Sequence, residues 1–374
     1  MRVFFVVVLC VACGSPGDES TIGAGPTIVA PAQRIVVPAT MRIVTEDGPN
    51  DHVSSEIEVW ELAAGQRTQL VWSAKLKTGN LTNVGLADGS FEGGLSLLAP
   101  WTRYAIRARH GTGQGFTEWG PDFPIRTDDG SVEVFNAQVI EEAWLDIPDS
   151  SWGPIDAEAL SECAPHVRSY YPGGLSIGPS GDFPGSGLRA KGGCGSSRSL
   201  DEKSAFKINL SWDDPAVDGC ASTRRYKGLK KITLNNQVED PSYTHERIGY
   251  DFFRQLGIPA ARTAPIKVYV NDELWGLYLN IESVDRRFLA RRFDDNDGML
   301  YEAGYGCDVG SESCFEPKFN TDACDDPPTG DPTDMTPLQD LNARLSQIPA
   351  DDFYPAIDSI IDFDTYLSTW AAAS

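Results

Sequence analysis

Positive charge is scarce in this chain of 374 residues: 31 Lys and Arg stand against 54 Asp and Glu, a formal net charge of -23. That balance disfavours any partner recognised through a general positive field, nucleic acid first among them. Histidine is scarcer still, with four residues at 52, 110, 166 and 245. Beyond the first 13 residues no Cys-x-x-Cys pair occurs either, so a structural zinc site is disfavoured. Paired carboxylates in a recognisable catalytic context are missing, which counts against a secreted hydrolase. Long hydrophobic runs are wanting too. The apolar stretch Val3 to Val11 is too short to cross a hydrocarbon core of about 30 Å.

That short stretch, preceded by Met1-Arg2, has the charged start and greasy centre of a secretory signal. It closes on Cys10-Val11-Ala12-Cys13-Gly14-Ser15, which resembles the lipobox of bacterial lipoproteins. The resemblance implies that Cys13 is lipidated and that the chain meets a membrane only through this anchor, at the bacterial cell envelope. Position 10, where Leu is usual, departs from the pattern and leaves plain secretion as the alternative. Residues 1–13 thus read as a lipoprotein-type signal peptide. Residues 14–26, of Gly, Ser, Pro and Asp character, read as a flexible tether. Six more cysteines follow, Cys163, Cys194, Cys220, Cys307, Cys314 and Cys324, an even number for which disulfides are the default in an exported chain. Cys307 with Cys314 or Cys324 would close a local loop, and Cys194 with Cys220 is a further candidate pair.

Residues 27–128 carry short alternating runs, at 34–37, 41–44, 56–62, 69–73, 104–109 and 123–127, broken by Gly, Pro, Asn and Asp. A period of two with such punctuation predicts half-buried antiparallel strands, and so a small all-β sandwich. The segment Leu98-Ala99-Pro100-Trp101-Thr102-Arg103-Tyr104, with Thr117-Glu118-Trp119-Gly120 and Phe123 to Thr127, resembles the last two strands of a fibronectin type III domain. Tyr104 is then its tyrosine corner, the hydroxyl reaching back to the upstream backbone. A spacer is the expected role.

After Asp128-Asp129-Gly130 the pattern changes, and from Val132 onward strands mix with one clear helix, as in an α+β unit. Residues 187–199 form a Gly-rich stretch studded with Ser and basic residues, which could bring backbone N–H groups and cations to a phosphate. No Gly-Lys-Ser/Thr closes it, so it is not a Walker loop. The next run, Lys203 to Leu210, is a predicted strand with Phe206, Ile208 and Leu210 on one face and Lys203 and Lys207 on the other. Leu229 to Leu234 is another. A helix follows over about 242–256, its apolar face built on Ile248, Phe252 and Leu256 and widened by Tyr250 and Phe253, with Glu246 in its second turn. Gly257 stops it. Two strands, 265–270 and 275–281, then join through Asn271-Asp272-Glu273 as a tight hairpin. Gly-rich loop, lysine strand, glutamate helix and hairpin occur in the order of a kinase N-lobe.

These motifs resemble the CotH (spore-coat protein H) kinase family from about Leu188 to Tyr301: Arg189-x-Lys191-Gly192, Lys203-x-x-Phe206-Lys207-Ile208, Leu234-Asn235-Asn236, Asp240-Pro241-Ser242-Tyr243 with Glu246-Arg247, and Tyr269-Val270-Asn271 with Trp275-Gly276-Leu277-Tyr278. The resemblance implies an atypical protein kinase that uses ATP with Mg or Mn and phosphorylates Ser or Thr of secreted or surface proteins. It implies nucleotide-binding roles for Arg189, Ser196, Ser197, Lys203, Lys207 and Glu246. Lys203 or Lys207 would touch the phosphates, Glu246 would pair with that lysine, and the Arg189 to Ser197 loop would cover the nucleotide. Lys230 and Lys231 are lower-ranked substitutes. The Asp294 to Gly298 run lacks the spacing of a calcium loop and reads as a capped turn.

Kinase chemistry further requires a catalytic Asp, a nearby Asn and a metal-binding Asp after the N-lobe. Asp362 and Asp364 look like helix-start residues rather than such ligands, so catalytic residues are expected beyond Ser374. The expectation is a kinase-like domain at 132–374 whose C-lobe is largely absent, inactive as it stands. The competing reading is a cell-surface binding or structural lipoprotein with a degenerate kinase-like scaffold.

Overall fold

The computed structural model describes residues 23–31, 35–49, 51–76, 82–159, 168–193, 195–212, 224–293, 299–303, 313, 315–317, 334–349 and 356–373. The signal, Cys13, every other cysteine and the Asp294 to Gly298 run lie outside them. The chain divides into two compact units, Met1–Asp129 and Gly130–Ser374.

Apart from two single 3-10 turns, Pro38–Thr40 and Leu86–Asp88, the elements of the first unit are strands: β1 (Ile28–Ala30), β2 (Ile35–Val36), β3 (Arg42–Thr45), β4 (Ser54–Ala63), β5 (Gln66–Leu76), β6 (Asn83–Gly85), β7 (Ser90–Phe91), β8 (Arg103–Thr112), β9 (Gly115–Phe116) and β10 (Phe123–Thr127). A three-stranded sheet runs β1-β3-β6, and a larger one runs β2-β10-β8-β4-β5-β7 with β9 on β8. Both feed one core, Ile28, Ile43 and Val84 from the first meeting Ile57, Val59, Trp72 and Ile106 from the second. Alternation explains this. Each strand sends every second side chain inward, and burying those apolar faces drives the sheets together. Trp72 is fully buried and its indole N–H donates to the Leu86 carbonyl at 2.9 Å, so no polar atom of that side chain is stranded. The Tyr104 hydroxyl accepts from the Ala99 N–H at 2.9 Å, tying the start of β8 to the segment before it.

The second unit opens with α1 (Ser131–Val134), β11 (Glu141–Asp146), α2 (Asp149–Ala159), β12 (Tyr171–Ile177), β13 (Gly181–Lys191), β14 (Ala205–Asn209) and β15 (Lys231–Asn235). It continues with α3 (His245–Gln255), β16 (Thr263–Val270), β17 (Glu273–Ile281), α4 (Arg286–Arg292), β18 (Tyr301–Ala303), β19 (Phe315–Pro317), α5 (Thr336–Ser346) and α6 (Phe363–Ala373). Seven of these strands close a barrel in the order β11-β12-β13-β14-β15-β17-β16. Closure comes from β11 pairing in parallel with β16, which leaves the sheet no free edge. Leu188, Ala190, Phe206, Ile208, Ile232, Leu234, Ile266 and Val268 belong to the larger core cluster of this unit.

Several expected elements shift. β13 runs through Lys191, so the first residues of the Gly-rich stretch are strand rather than loop. The lysine strand starts at Ala205, not Lys203, and the following one at Lys231, because Tyr226 and Leu229 close a tight bridge just before it. The hairpin after β16 turns through Asn271 and Asp272, both at positive φ (48° and 67°), the backbone a two-residue turn of matching twist needs. Asn271 locks it, its side-chain carbonyl accepting from the Ile147 N–H at 2.8 Å and its amide donating to the Ile147 carbonyl at 3.0 Å. The helix faces the other way from expectation. Ile248, Phe252 and Leu256 are 60%, 48% and 53% exposed, while Tyr250 packs on Ala261, Leu279 and Ile281.

Candidate functional site

Strand alternation sorts the side chains of β13, β14 and β15 into two sets. Leu188 and Ala190, Phe206 and Ile208, and Ile232 and Leu234 enter the barrel core. The outer set is Arg189 and Lys191, Lys207 and Asn209, and Lys231, Thr233 and Asn235. Register places them side by side, with Arg189 opposite Lys207, Lys207 opposite Thr233, and Asn209 opposite Lys231. Four cations therefore share one stretch of outer wall.

The electrostatics record the crowding. Burial, reinforced by Lys231, Arg189 and Lys191 and opposed by Glu302, lowers the Lys207 ammonium to about 8. Lys191 is lowered too, by burial first. Glu246 and Glu302 favour its charge, and Arg168 and Arg189 oppose it. Arg189 donates to the Arg168 carbonyl at 3.0 Å and lies 4.9 Å over the Tyr170 ring. Its buried Nε has no hydrogen-bond partner among the described residues.

Glu246 reaches this wall from α3. Both its carboxylate oxygens accept from the Asn235 amide, at 2.7 and 2.8 Å, and the Gln237 amide donates to Oε2. The other end of Asn235, its side-chain carbonyl, accepts from the Lys191 ammonium. The helix start that delivers Glu246 is pinned by Asp240, whose carboxylate accepts from the Ser242 hydroxyl (2.6 Å) and the N–H groups of Ser242, Thr244 and His245 (2.9, 2.7 and 2.7 Å). Those bonds, the Ser242 hydroxyl foremost, hold the Asp240 carboxyl down at about 2. They satisfy donors a helix start leaves open, which gives the Asp240-Pro241-Ser242 motif a physical purpose.

The loop after β13 folds on itself. Gly192 sits at φ +123°, and a Cβ there would lie 3.1 Å from the Ser197 backbone nitrogen, so only glycine suits the turn. The Ser196 and Ser197 N–H groups both donate to the Gly193 carbonyl at 3.1 Å, and the Ser196 hydroxyl accepts from the Gly193 N–H at 3.2 Å. Ser197 Oγ accepts from Arg168 at 3.3 Å, and Asn236 donates to the Ser196 carbonyl at 3.0 Å. The N–H groups of Gly193, Ser196 and Ser197 are thus engaged within the loop, and the two serine hydroxyls act as acceptors.

Of the residues expected from sequence, Arg189 and Lys207 come together, Glu246 reaches the same wall but bonds to Asn235 and Gln237 rather than to Lys203 or Lys207, and Ser196 and Ser197 shape the adjoining loop. Lys203 stands apart. Its ammonium donates to the Leu277 carbonyl at 2.7 Å between the rings of Tyr243 and Tyr278, and burial alone lowers it. Sequence reasoning missed Lys191, Asn235, Gln237 and Arg168 as members of the site. For Lys191 the signal was present: it is two residues beyond Arg189, on the same face once the strand is extended by one turn of alternation.

Among the described residues no group of three or more His, Cys, Asp or Glu could hold a metal ion. Cations that repel one another, with an orphaned buried guanidinium donor, instead fit an anionic ligand carrying several oxygen acceptors.

The family described as "CotH kinase protein" matches residues 188–374, from β13 onward. Inner spore coat protein H of Bacillus subtilis (strain 168) is 28% identical over 151 residues, 40% of this chain and 41% of that protein. An inner spore coat protein H-like protein of the same strain is 30% identical over 82 residues, 22% of this chain and 23% of that protein. The chain thus matches less than half the length of these curated relatives. Among solved structures, the twitchin kinase region from C. elegans aligns over 71% of this chain and 39% of its own, at 10% identity and a TM-score of 0.19, too loose to carry an argument. The family match extends over half of the sequence, and the chain belongs to the CotH family.

Proposed function

We infer that the outer wall of the barrel holds the phosphates of ATP, and that the protein is a CotH-type kinase transferring the γ-phosphate to Ser or Thr of secreted or surface proteins. One observation carries the reading: Arg189, Lys191 and Lys207 crowd together on adjacent strands beside Glu246, at an energetic cost that only an anion would offset. Lys191 and Lys207 would neutralise phosphate oxygens, and Arg189 would offer its unpartnered donor. Mg or Mn would arrive on the phosphates, which suits ions that dehydrate reluctantly and need few protein ligands. Lipid anchoring through Cys13 and a fibronectin type III-like spacer complete the proposal. The Tyr104 bond to Ala99 supports the spacer.

Calorimetric titration of the 374-residue chain with ATP and Mg tests the nucleotide half. A saturable heat is expected, weakened about tenfold or more by Lys191→Ala or Lys207→Ala, since one charged hydrogen bond contributes about 1.5 to 3 kcal/mol. Lys203→Ala should leave affinity within about twofold. No saturable heat in the wild-type chain would sink the reading and favour a scaffold without nucleotide. Transfer of labelled γ-phosphate to Ser or Thr in secreted proteins tests the other half.

A further inference from the structure

Lys191 and Glu246 are opposite charges close enough to influence one another, yet they meet through Asn235 rather than directly. The amide can stand only one way round. Its NH2 faces two carboxylate oxygens and its carbonyl faces an ammonium, and a flip would set like polarity against like at both ends. Gln237, buried and at positive φ (59°), adds a further donor to Oε2 of Glu246. The carboxylate is therefore occupied by amides. An ammonium has three donors and no acceptor. Lys191 gives one of them to the Asn235 carbonyl and keeps two.

A lysine in direct contact with a carboxylate would have its charge largely neutralised before a ligand arrives. One held by a neutral carbonyl keeps its charge and is still fixed in direction. We propose that Asn235 is a positioning residue: it holds Lys191 off Glu246 and presents the ammonium to the phosphates of the nucleotide, which presupposes the nucleotide reading of this wall. The pairing follows from fold. β15 ends at Asn235, across the start of β14 at Ala205 from the end of β13 at Lys191, while Asp240 fixes the helix that brings Glu246 to the opposite side of the amide. Neither aspartate nor alanine at 235 can serve both neighbours.

The test is a double-mutant cycle on ATP and Mg affinity, measured with the full chain. Lys191→Ala alone should weaken binding about tenfold or more, and Asn235→Ala by a similar factor, but the double variant should be less than about twofold worse than Lys191→Ala. If Lys191→Ala binds as wild type does, the nucleotide reading of Lys191 falls and takes the positioning role with it. If Lys191→Ala is weak but Asn235→Ala has no effect, or exacts its whole factor again in the Lys191→Ala background, only the positioning role falls. Asn235→Asp, the same shape, guards against a variant that misfolds. It should bind poorly at pH 7.5 and recover towards pH 5.5, as a proton shared with Glu246 restores a donor. Wild type measured at each pH carries the titration of the nucleotide's own phosphate, and the recovery is read relative to it. Asn235→Asp binding as tightly as wild type at pH 7.5 would overturn the proposal.

Discussion

The outer face of the sandwich and the outer face of the barrel both carry cations on neighbouring strands, and they treat them in opposite ways. On the sandwich, Arg107 donates to Glu58 (Nε at 2.8 Å, Nη2 at 2.7 Å) and lies 4.3 Å over Trp119, between that ring and Trp60. Arg109 likewise pairs with Glu56 (Nε at 2.9 Å) and sits over Phe116 and Trp119. Each guanidinium pairs with an acid and lies over aromatic rings, Trp119 serving both, an arrangement complete without a ligand. On the barrel wall Arg189, Lys191 and Lys207 crowd one another, with neutral carbonyls rather than acids as the hydrogen-bond partners of Arg189 and Lys191, and burial, then the cationic neighbours, lowers Lys207 to about 8. The difference separates cations that finish a surface from cations that await a partner.

A third set sharpens the contrast because it lies in the barrel unit but follows the sandwich rule. Glu282, 4% exposed, joins Arg262 at 2.7 Å, Arg291 at 3.3 Å and Arg292 at 3.4 Å. Burial pushes its carboxyl up, and the three guanidiniums more than reverse that. Glu282→Gln should lower the stability of the unit by about 3 to 5 kcal/mol in chemical denaturation, since it leaves buried guanidiniums uncompensated. Stability unchanged within about 0.5 kcal/mol would show that the cluster is not the structural counterpart described.

A smaller effect belongs to the sandwich. His110, 2% exposed, is stacked 4.0 Å from His52 and bonded to Thr45 at 3.2 Å. Burial, then the neighbouring His52, lowers it from 6.5 to about 4. The fold holds the neutral ring, so its contribution is complete above pH 6.5. It is lost as the unfolded chain takes up a proton between 6.5 and about 4, a loss of about 3 kcal/mol. Denaturation of the first unit across that range should show the decline, and His110→Gln should flatten it. The smallest effect comes from Arg107→Ala, about 1 kcal/mol of stability with ATP affinity unchanged. A loss of nucleotide binding in that variant would break the distinction between the two faces.

Much of the fold was legible because alternation is a local property. β10 spans the expected residues 123–127, and the expected runs at 56–62 and 104–109 fall inside β4 and β8. The site was legible in part. Lys207 could be picked from its strand and Arg189 only from the family motif, as part of an expected loop, and that they face one another depends on register, which one strand does not encode. Lys203 looked equivalent to Lys207 by the rule of two, and the rule ceased to apply because the strand begins only at Ala205. Lys191 was hidden by its glycines: Gly192 and Gly193 suggested loop, whereas β13 runs up to them. For α3 the period marked an apolar stripe without saying which way it looks, and the helix seats Tyr250 rather than Phe252 against the barrel. Asn235 could not be read as a bridge, since its role requires two strand ends and a helix to arrive at one place.

The central claim is that the lysines of the barrel wall are charged groups held in readiness for phosphate, and the titration of Lys207 tests it most directly. Lysine side chains labelled at Cε, with Lys207 assigned by loss of its signal in Lys207→Ala, can be followed by NMR in the free chain and with saturating ATP and Mg. A midpoint near 8 is expected in the free chain, moving upward with nucleotide because a phosphate favours the ammonium. A midpoint that nucleotide leaves in place, or one already at the ordinary lysine value, would contradict the account.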